Sequence, residues 1–202
     1  MTGAGESEGA LEAVVLAAGS GSRFGGGKLT APWRDGVLLD GALAAAFAAP
    51  VRSVTVVTGA DRKVEGVARA FAAARGQTAR LRLVHAADHA EGMGATLRTG
   101  IASLPDDTAG AFVFLGDMPR VPHAVLPELA RALKGADAAA PVFERRRGHP
   151  VLFRRKLFPE LLALRGDDGA RAVLSRLGDR LALVHSPETG VLFDVDTPDD
   201  LA

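Results

Sequence analysis

The sequence predicts an α/β sandwich built on a mainly parallel β-sheet. Short apolar runs rich in β-branched residues alternate with longer segments of helical character along most of the 202 residues. These runs are continuously apolar, which is typical of parallel strands that helices cover on both faces. An alternation of strands and helices also implies right-handed crossover connections.

The elements follow one another in a regular order until about residue 143. Strands are predicted over 12–17, 53–59, 81–86, 111–117, 137–143, 181–185 and 191–196. Helices are predicted over 40–49, 61–76, 94–104, 122–135, 155–164 and 168–177. Pro122 near the start of one helix and Gly135 just past its end fit the known preferences of helix termini. The segment ERRRGHPVLF, residues 144–153, is predicted to form a hairpin.

Composition excludes several classes of protein. Hydrophobic residues make up 48% of the chain, which is ample for a buried core, and the net charge of +0 argues against a nucleic-acid-binding protein. The absence of cysteine excludes disulfides, thiolate metal sites and a cysteine nucleophile. No apolar run reaches the roughly 18 residues that a membrane span requires.

The N-terminal residues differ in character from the rest of the chain. Residues 1–10, MTGAGESEGA, are acidic and rich in glycine, unlike the basic start of a signal peptide. We expect a disordered tail over residues 1–10 and one domain over residues 11–202. A cytoplasmic protein is the corresponding expectation for location.

A glycine-rich loop follows the first predicted strand, with the sequence GSGSRFGGGK from Gly19 to Lys28. The dinucleotide fingerprint fails because Phe24 stands where it requires glycine, and the Walker loop fails at Ser22 and Leu29. Small residues nevertheless allow backbone N–H groups to approach an anion, and Arg23 and Lys28 supply cations for phosphate. The alternative is an ordinary flexible connection between strand and helix.

Three aspartates are candidate metal ligands. Asp117 ends an apolar strand, at the edge of an open α/β sheet where ligands bind, and a carboxylate there suits Mg²⁺. Asp194 and Asp196 are two residues apart, so on a strand they share one face and could hold a metal jointly. The alternatives are a helix N-cap for Asp117 and the acidic start of a helix after Thr197.

The segment EGMGATLRTG places Gly92 and Gly94 before a helix whose first turn contains Thr96. Free N–H groups at a helix N-terminus form an anion site, although an ordinary glycine-rich helix start has the same pattern.

These motifs together resemble a known family. The stretch VVLAAGSGSRFGGGKL is similar to the L-A-A-G-x-x-x-R-[MF]-G-x-x-K signature of MobA-like NTP transferases related to molybdenum cofactor cytidylyltransferase. The segments GMGATL, LGDMP, GHPVLF, GDDGAR and DVDTPDD follow in the order of the family. The resemblance extends from about residue 12 to residue 202.

The resemblance implies a Rossmann-like three-layer α/β/α sandwich of the nucleotide-diphosphosugar transferase (GT-A) type. It also implies roles for individual residues. The nucleotide would contact Leu16, Ala17, Ala18, Gly19, Gly92, Gly94 and Thr96, with Arg23 and Lys28 on its phosphates. Asp117, Asp196 and Asp194 would hold Mg²⁺, with Asp117 and Asp196 as the first choices. The acceptor would contact His149, Asp167 and Arg171.

The implied reaction joins CMP from CTP to the terminal phosphate of molybdopterin cofactor and releases pyrophosphate. Ala18 favours cytidine, since related guanylyltransferases usually have glycine at that position. Another nucleotide, a sugar or alcohol phosphate acceptor, or a non-catalytic nucleotide-binding partner in cofactor maturation remain alternatives. A molybdoenzyme or an insertion chaperone is a possible partner, and neither nucleic acid nor membrane is expected.

Overall fold

A computed structural model describes residues 9–21, 24–166 and 169–201. Its strands are β1 (Leu11–Ala17), β2 (Pro32–Trp33), β3 (Gly36–Val37), β4 (Val54–Thr58), β5 (Leu81–His85), β6 (Gly110–Leu115), β7 (Ala138–Phe143), β8 (Arg146–Arg147), β9 (Val151–Arg154) and β10 (Leu181–His185). Its α-helices are α1 (Leu38–Ala48), α2 (Lys63–Ala74), α3 (Met93–Ala102), α4 (Val125–Ala132), α5 (Phe158–Leu162) and α6 (Arg171–Ser175). Short 3-10 helices that matter for the site cover Lys28–Thr30, Thr189–Leu192 and Pro198–Leu201.

The main sheet has the strand order β10-β7-β9-β6-β1-β4-β5, and β8 pairs with β7. Strand β1 is parallel to both of its neighbours, β4 and β6, and β4 is parallel to β5. Strand β9 is antiparallel to β6 and to β7. The predicted mainly parallel sheet is therefore confirmed, with β9, between β6 and β7, and the short β8 as antiparallel strands.

Helices cover both faces of this sheet and produce three layers. Ala13 and Val15 of β1 pack in one apolar cluster with residues of α1, α2 and α4. Val14 and Leu16 of the same strand pack in a second cluster with residues of α3, α5 and α6. Neighbouring residues of a strand point to opposite faces of the sheet. Helices cover both faces here, so the strand sequence is continuously apolar.

The predicted hairpin over residues 144–153 is wrong in its pairing. Glu144 and Arg145, both with positive φ, form the turn between β7 and β8. Strand β9 instead enters the sheet between β6 and β7. The local sequence indicates two short strands, but which strands they pair with depends on the positions that the rest of the sheet leaves unoccupied.

The predicted strand over residues 191–196 is also wrong. The chain forms a 3-10 helix over Thr189–Leu192 and then runs without regular pairing. The N–H of Val195 donates to the carbonyl of Asp117 at 3.1 Å, so its partner is the loop after β6. Val191 and Val195 are fully buried. Their apolar pattern therefore reflects burial in the apolar cluster that contains Ala13 and Val15, not membership of the sheet.

No helix among the described residues is both long and apolar enough to span a membrane.

Candidate functional site

The glycine-rich loop leaves β1 and turns back towards the sheet. Gly21, Gly25, Gly26 and Gly27 all have positive φ, between 61° and 94°. The carbonyl of Gly21 accepts hydrogen bonds from the N–H groups of Phe24 and Gly26, at 2.9 and 3.1 Å. A side chain disfavours such a run of left-handed backbone, which explains the glycines. The loop ends in the 3-10 helix that begins with Lys28.

Lys28 lies between two of the predicted aspartates. Its ammonium Nζ is 2.8 Å from Oδ2 of Asp117 and 3.5 Å from Oδ1 of Asp196. The side chain of Lys28 is 13% exposed, that of Asp117 28% and that of Asp196 55%. Strands β1 and β6 are parallel neighbours, so the loops that follow them meet at one edge of the sheet. The site is therefore partly open to solvent on the side of Asp196.

Asp194 belongs to the same group of carboxylates, although not through a shared strand face. Its side chain keeps contact with solvent. Partial burial, followed by the negative charges of Asp196 and Asp117, raises its pKa. Lys28 acts in the opposite direction on that pKa. The charges of Asp196 and Asp117 therefore both act on the Asp194 carboxyl.

Asp200 has a structural role beside this group of carboxylates. Its Oδ2 accepts hydrogen bonds from the N–H of Asp196 and from both the N–H and the hydroxyl of Thr197. The backbone N–H bonds of Thr197 and Asp196 lower its pKa. Asp200 therefore fixes the backbone that carries Asp196.

His149 lies next to this group on a segment held by backbone contacts. Its N–H donates to the carbonyl of Val191 at 2.9 Å. Burial lowers the pKa of its imidazole to about 4, despite the opposing influences of Asp117 and of a hydrogen bond with the Val113 backbone. Its Nδ1 is buried and has no hydrogen-bond partner in the described part of the chain. At neutral pH the ring is uncharged and presents an unused polar atom.

The residues at the end of β1 that are predicted to contact the nucleotide expose little of their side chains. The side chains of Leu16, Ala17 and Ala18 are buried, whereas Gly19 is exposed. A Cβ added to Gly59 would lie 2.7 Å from the Ala18 methyl, so the two residues are in tight contact. The structure therefore places the Ala18 methyl against Gly59.

The second glycine segment precedes α3. Gly92 has φ of 115°, and the buried Gly94 donates its N–H to the carbonyl of Gly166 at 2.9 Å. Thr96 is buried in the first turn of α3. Helix α3 connects β5 to β6, so its N-terminus lies at the same sheet edge as Lys28. The contact with Gly166 joins the predicted nucleotide segment to the predicted acceptor segment.

The remaining predicted residues are placed as follows. Arg171 is exposed at the start of α6, after the loop that contains Gly166. Arg23 and Asp167 lie outside the described residues.

The sequence pattern did not single out Asp61, which contacts the glycine-rich loop. Its Oδ2 accepts a hydrogen bond from the hydroxyl of Thr30 at 3.0 Å, and its Oδ1 accepts one from the N–H of Lys63. Asp61 follows β4, the parallel neighbour of β1, and that position at the sheet edge is the available signal. This contact ties the loop after β4 to the short helix that begins with Lys28.

The donor atoms of the site suit one kind of divalent metal. Among the described residues no three His, Cys, Asp or Glu side chains form a group that could hold a metal by themselves. Asp117 and Asp196 supply oxygen, and the Lys28 ammonium between them shows that a cation is accommodated there. Mg²⁺ binds through one or two carboxylates and completes its shell with phosphate oxygens and water. The residues therefore fit Mg²⁺, for which Asp117 and Asp196 would supply the protein ligands.

Comparison with protein families agrees with this arrangement. The model of the MobA-like NTP transferase domain matches residues 13–181. The chain is 24% identical over 193 residues to the molybdenum cofactor cytidylyltransferase of Escherichia coli (strain K12), covering 95% of this chain and 93% of that protein. It is 29% identical over 194 residues to the purine catabolism protein PucB of Bacillus subtilis (strain 168), covering 94% and 93%.

Solved structures give the same fold. Rv0371c from Mycobacterium tuberculosis H37Rv superposes with a TM-score of 0.77 at 26% identity and covers 96% of both chains. A complex of Rv0371c with manganese superposes with a TM-score of 0.72 at 27% identity, covering 95% of both.

Proposed function

Because the chain belongs to the MobA-like NTP transferase domain family, whose members are nucleotidyltransferases, we propose that it transfers CMP from CTP to the phosphate of molybdopterin cofactor. One observation carries the proposal: the glycine-rich loop delivers Lys28 to Asp117 and Asp196 at the carboxyl edge of the sheet. Phosphoryl-type transfers depend mainly on positioning and on charge neutralisation, and this arrangement supplies both.

The proposed reaction forms one bond and breaks one bond, and it requires no proton transfer. An oxygen of the acceptor phosphate bonds to the α-phosphorus of CTP, and the bond from that phosphorus to the bridging oxygen of the β-phosphate breaks. Pyrophosphate leaves with the electron pair. A phosphate acceptor is ionised at pH 7, so no general base is required.

Cations of the loop act on the leaving group. Lys28 donates to Asp117, and phosphate oxygens can replace that carboxylate as its hydrogen-bond acceptors. Lys28 and Arg23 then neutralise charge that develops on pyrophosphate. Asp117 and Asp196 would hold Mg²⁺, with Asp194 beside them. The ion, when bound, would neutralise negative charge on the phosphates.

The acceptor is assigned to the side of His149. Its Nδ1, buried without a partner among the described residues, is an acceptor suited to an N–H or O–H of the pterin. Arg171 follows the loop whose Gly166 carbonyl accepts a hydrogen bond from Gly94, and Asp167 is included on the family resemblance alone. The E. coli relative named molybdenum cofactor cytidylyltransferase supports this choice of nucleotide and acceptor.

Nucleotide binding is the first test. Thermal unfolding is measured with CTP, GTP, ATP or UTP, each with Mg²⁺, for the wild type and for Asp117→Asn. A ligand of the folded state raises the apparent stability, so the preferred nucleotide gives the largest shift in Tm. We expect CTP to give that shift and Asp117→Asn to reduce it.

Turnover is the second test. Release of pyrophosphate from CTP and molybdopterin is expected to require a divalent metal and to be abolished in Asp117→Asn. A larger shift with GTP or UTP would reject cytidine while retaining nucleotidyl transfer. Binding of CTP without pyrophosphate release would favour a non-catalytic partner in cofactor maturation.

A further inference from the structure

Three side chains that the proposed chemistry does not use form a cation–aromatic cluster on the segments that carry the charged residues of the site. The guanidinium carbon of Arg120 lies 4.0 Å from the centre of the Phe193 ring and 5.3 Å from that of the Trp33 ring. The two rings are 6.1 Å apart with an interplanar angle of 36°. A guanidinium within about 6 Å of aromatic rings is attracted by their electron-rich faces. We call Trp33, Arg120 and Phe193 the aromatic clamp.

Each member of the aromatic clamp lies close in sequence to one charged residue of the site. Trp33 is five residues after Lys28, Arg120 is three after Asp117, and Phe193 is three before Asp196. The clamp therefore joins the three segments that bring the ammonium and the two carboxylates together.

Backbone contacts also join the segments that carry Arg120 and Phe193. A Cβ on Gly190 would lie 1.9 Å from the carbonyl oxygen of Arg120, so the two segments approach as closely as their backbones allow. The N–H of Val195 donates to the carbonyl of Asp117. The described residues after Leu192 pair with no strand, so these contacts and the clamp act together with the hydrogen bonds of Asp200 to position Asp196.

We propose that Arg120 is a positioning residue that sets the separation of Asp117 and Asp196, and through it the affinity of the site for a divalent cation. The inference rests on the proposed function, because it takes these two carboxylates as the metal ligands. Asp117 and Asp196 repel each other, and the Lys28 ammonium that lies between them offsets this repulsion. An attachment that holds their two segments together therefore favours the arrangement in which one cation reaches both.

The test measures metal binding directly and uses Mn²⁺ as the probe. Free Mn²⁺ is titrated against nucleotide-free protein by electron paramagnetic resonance, for the wild type, Arg120→Ala, Arg120→Lys and Arg75→Ala. Arg75 is the matched control because its guanidinium carbon lies 3.6 Å from the centre of the Phe71 ring on α2, in a cluster that joins none of the site segments.

We expect Arg120→Ala to raise the Kd for Mn²⁺ about threefold, in line with the strength of an exposed cation–aromatic contact. Arg75→Ala should leave that Kd unchanged, and Arg120→Lys should recover part of the loss because the cation is retained. With nucleotide and acceptor, Arg120→Ala should need more metal for half-maximal turnover but reach a kcat near that of the wild type. The Tm of Arg120→Ala should fall no further than that of Arg75→Ala.

Two results would overturn the inference, and they are distinguishable. Tight Mn²⁺ binding by the wild type together with an unchanged Kd in Arg120→Ala would reject the positioning role and leave the proposed function intact. A wild type whose Mn²⁺ binding is as weak as that of the Asp117→Asn, Asp196→Asn double variant would reject the metal site itself, and with it the role of Arg120.

Discussion

At the scale of single residues, the type of cation at position 28 matters. The chain has only four lysines against twenty arginines, and one of the four is the residue that contacts Asp117 and Asp196. An ammonium is a compact charge that can exchange one oxygen acceptor for another, whereas a guanidinium prefers a fixed planar pair of acceptors. Lysine is therefore better suited than arginine to exchange a carboxylate acceptor for a phosphate acceptor.

We predict that Lys28→Ala lowers kcat by at least about tenfold while the protein stays folded, because a phosphate charge in the transition state loses its partner. Steady-state pyrophosphate release and circular dichroism measure the two effects. Lys63→Ala, which removes an exposed lysine at the start of α2, is the control and should keep wild-type turnover. Near-normal turnover in Lys28→Ala would remove this residue from the mechanism.

His149 predicts a pH dependence of stability. Burial lowers its pKa from 6.5 to about 4, so between these values the unfolded chain binds a proton that the folded protein does not. The free energy of unfolding should therefore fall as the pH drops from 6.5 towards 4, by at most about 1.4 kcal/mol per pH unit for one proton. Urea unfolding of the wild type and His149→Asn at several pH values measures this difference.

The variant should lack this component and show a flatter profile over the same range. Parallel profiles for the two proteins, or an NMR titration of His149 with a midpoint near 6.5, would contradict the assignment of a buried neutral ring.

At the scale of elements, two helical glycines illustrate how context decides the role of one residue type. Gly66 lies in α2, and a Cβ there would meet nothing within 4 Å. Gly94 lies in the first turn of α3, where a Cβ would be 2.7 Å from the carbonyl oxygen of Gly166. Gly66 makes α2 less stable than alanine would at that position. Gly94 allows the close contact that joins two parts of the site.

We predict opposite effects for alanine at these positions. Gly66→Ala should raise the free energy of unfolding by roughly 1 kcal/mol, the difference in helix propensity. Gly94→Ala should lower it by about 1–3 kcal/mol and weaken nucleotide binding, because the loop at Gly166 must move. Urea unfolding and the nucleotide-induced Tm shift measure both effects. Equal stability of the two variants would contradict the close approach of α3 to this loop.

At the scale of the whole molecule, one sheet supports both apolar clusters. Strand β1 contributes Ala13 and Val15 to one cluster and Val14 and Leu16 to the other. Loss of the sheet would therefore expose both faces at once. The site lies at one edge of this sheet, so its geometry depends on the same unit.

We predict that residues 11–202 unfold as a single cooperative unit. Trp33 is the one tryptophan of the chain, and it lies in the aromatic clamp, so its fluorescence reports on the site. Its urea transition should coincide with the transition in far-ultraviolet circular dichroism, as expected of two-state unfolding. Two separated transitions would indicate that the site melts independently of the sheet or that the chain has two domains.

The sequence by itself predicted the three-layer α/β architecture, because buried parallel strands impose continuous apolar runs that are visible without coordinates. It also predicted Lys28, Asp117 and Asp196 as one site, because carboxyl ends of parallel strands meet at one edge and the motifs follow a family order. The positive φ of the glycines in the loop is likewise a local property, which the glycine-rich sequence indicates because glycine adopts positive φ readily.

Only the tertiary structure decided the remaining features. Residues 191–196 have the apolar pattern of a strand, yet Val195 pairs with the loop at Asp117 and not with the sheet. The pairing of β9 with β6 and β7 and the aromatic clamp join segments far apart in sequence. Local sequence fixes which residues are apolar or left-handed, whereas the choice of partner depends on which surfaces remain open once the sheet has formed.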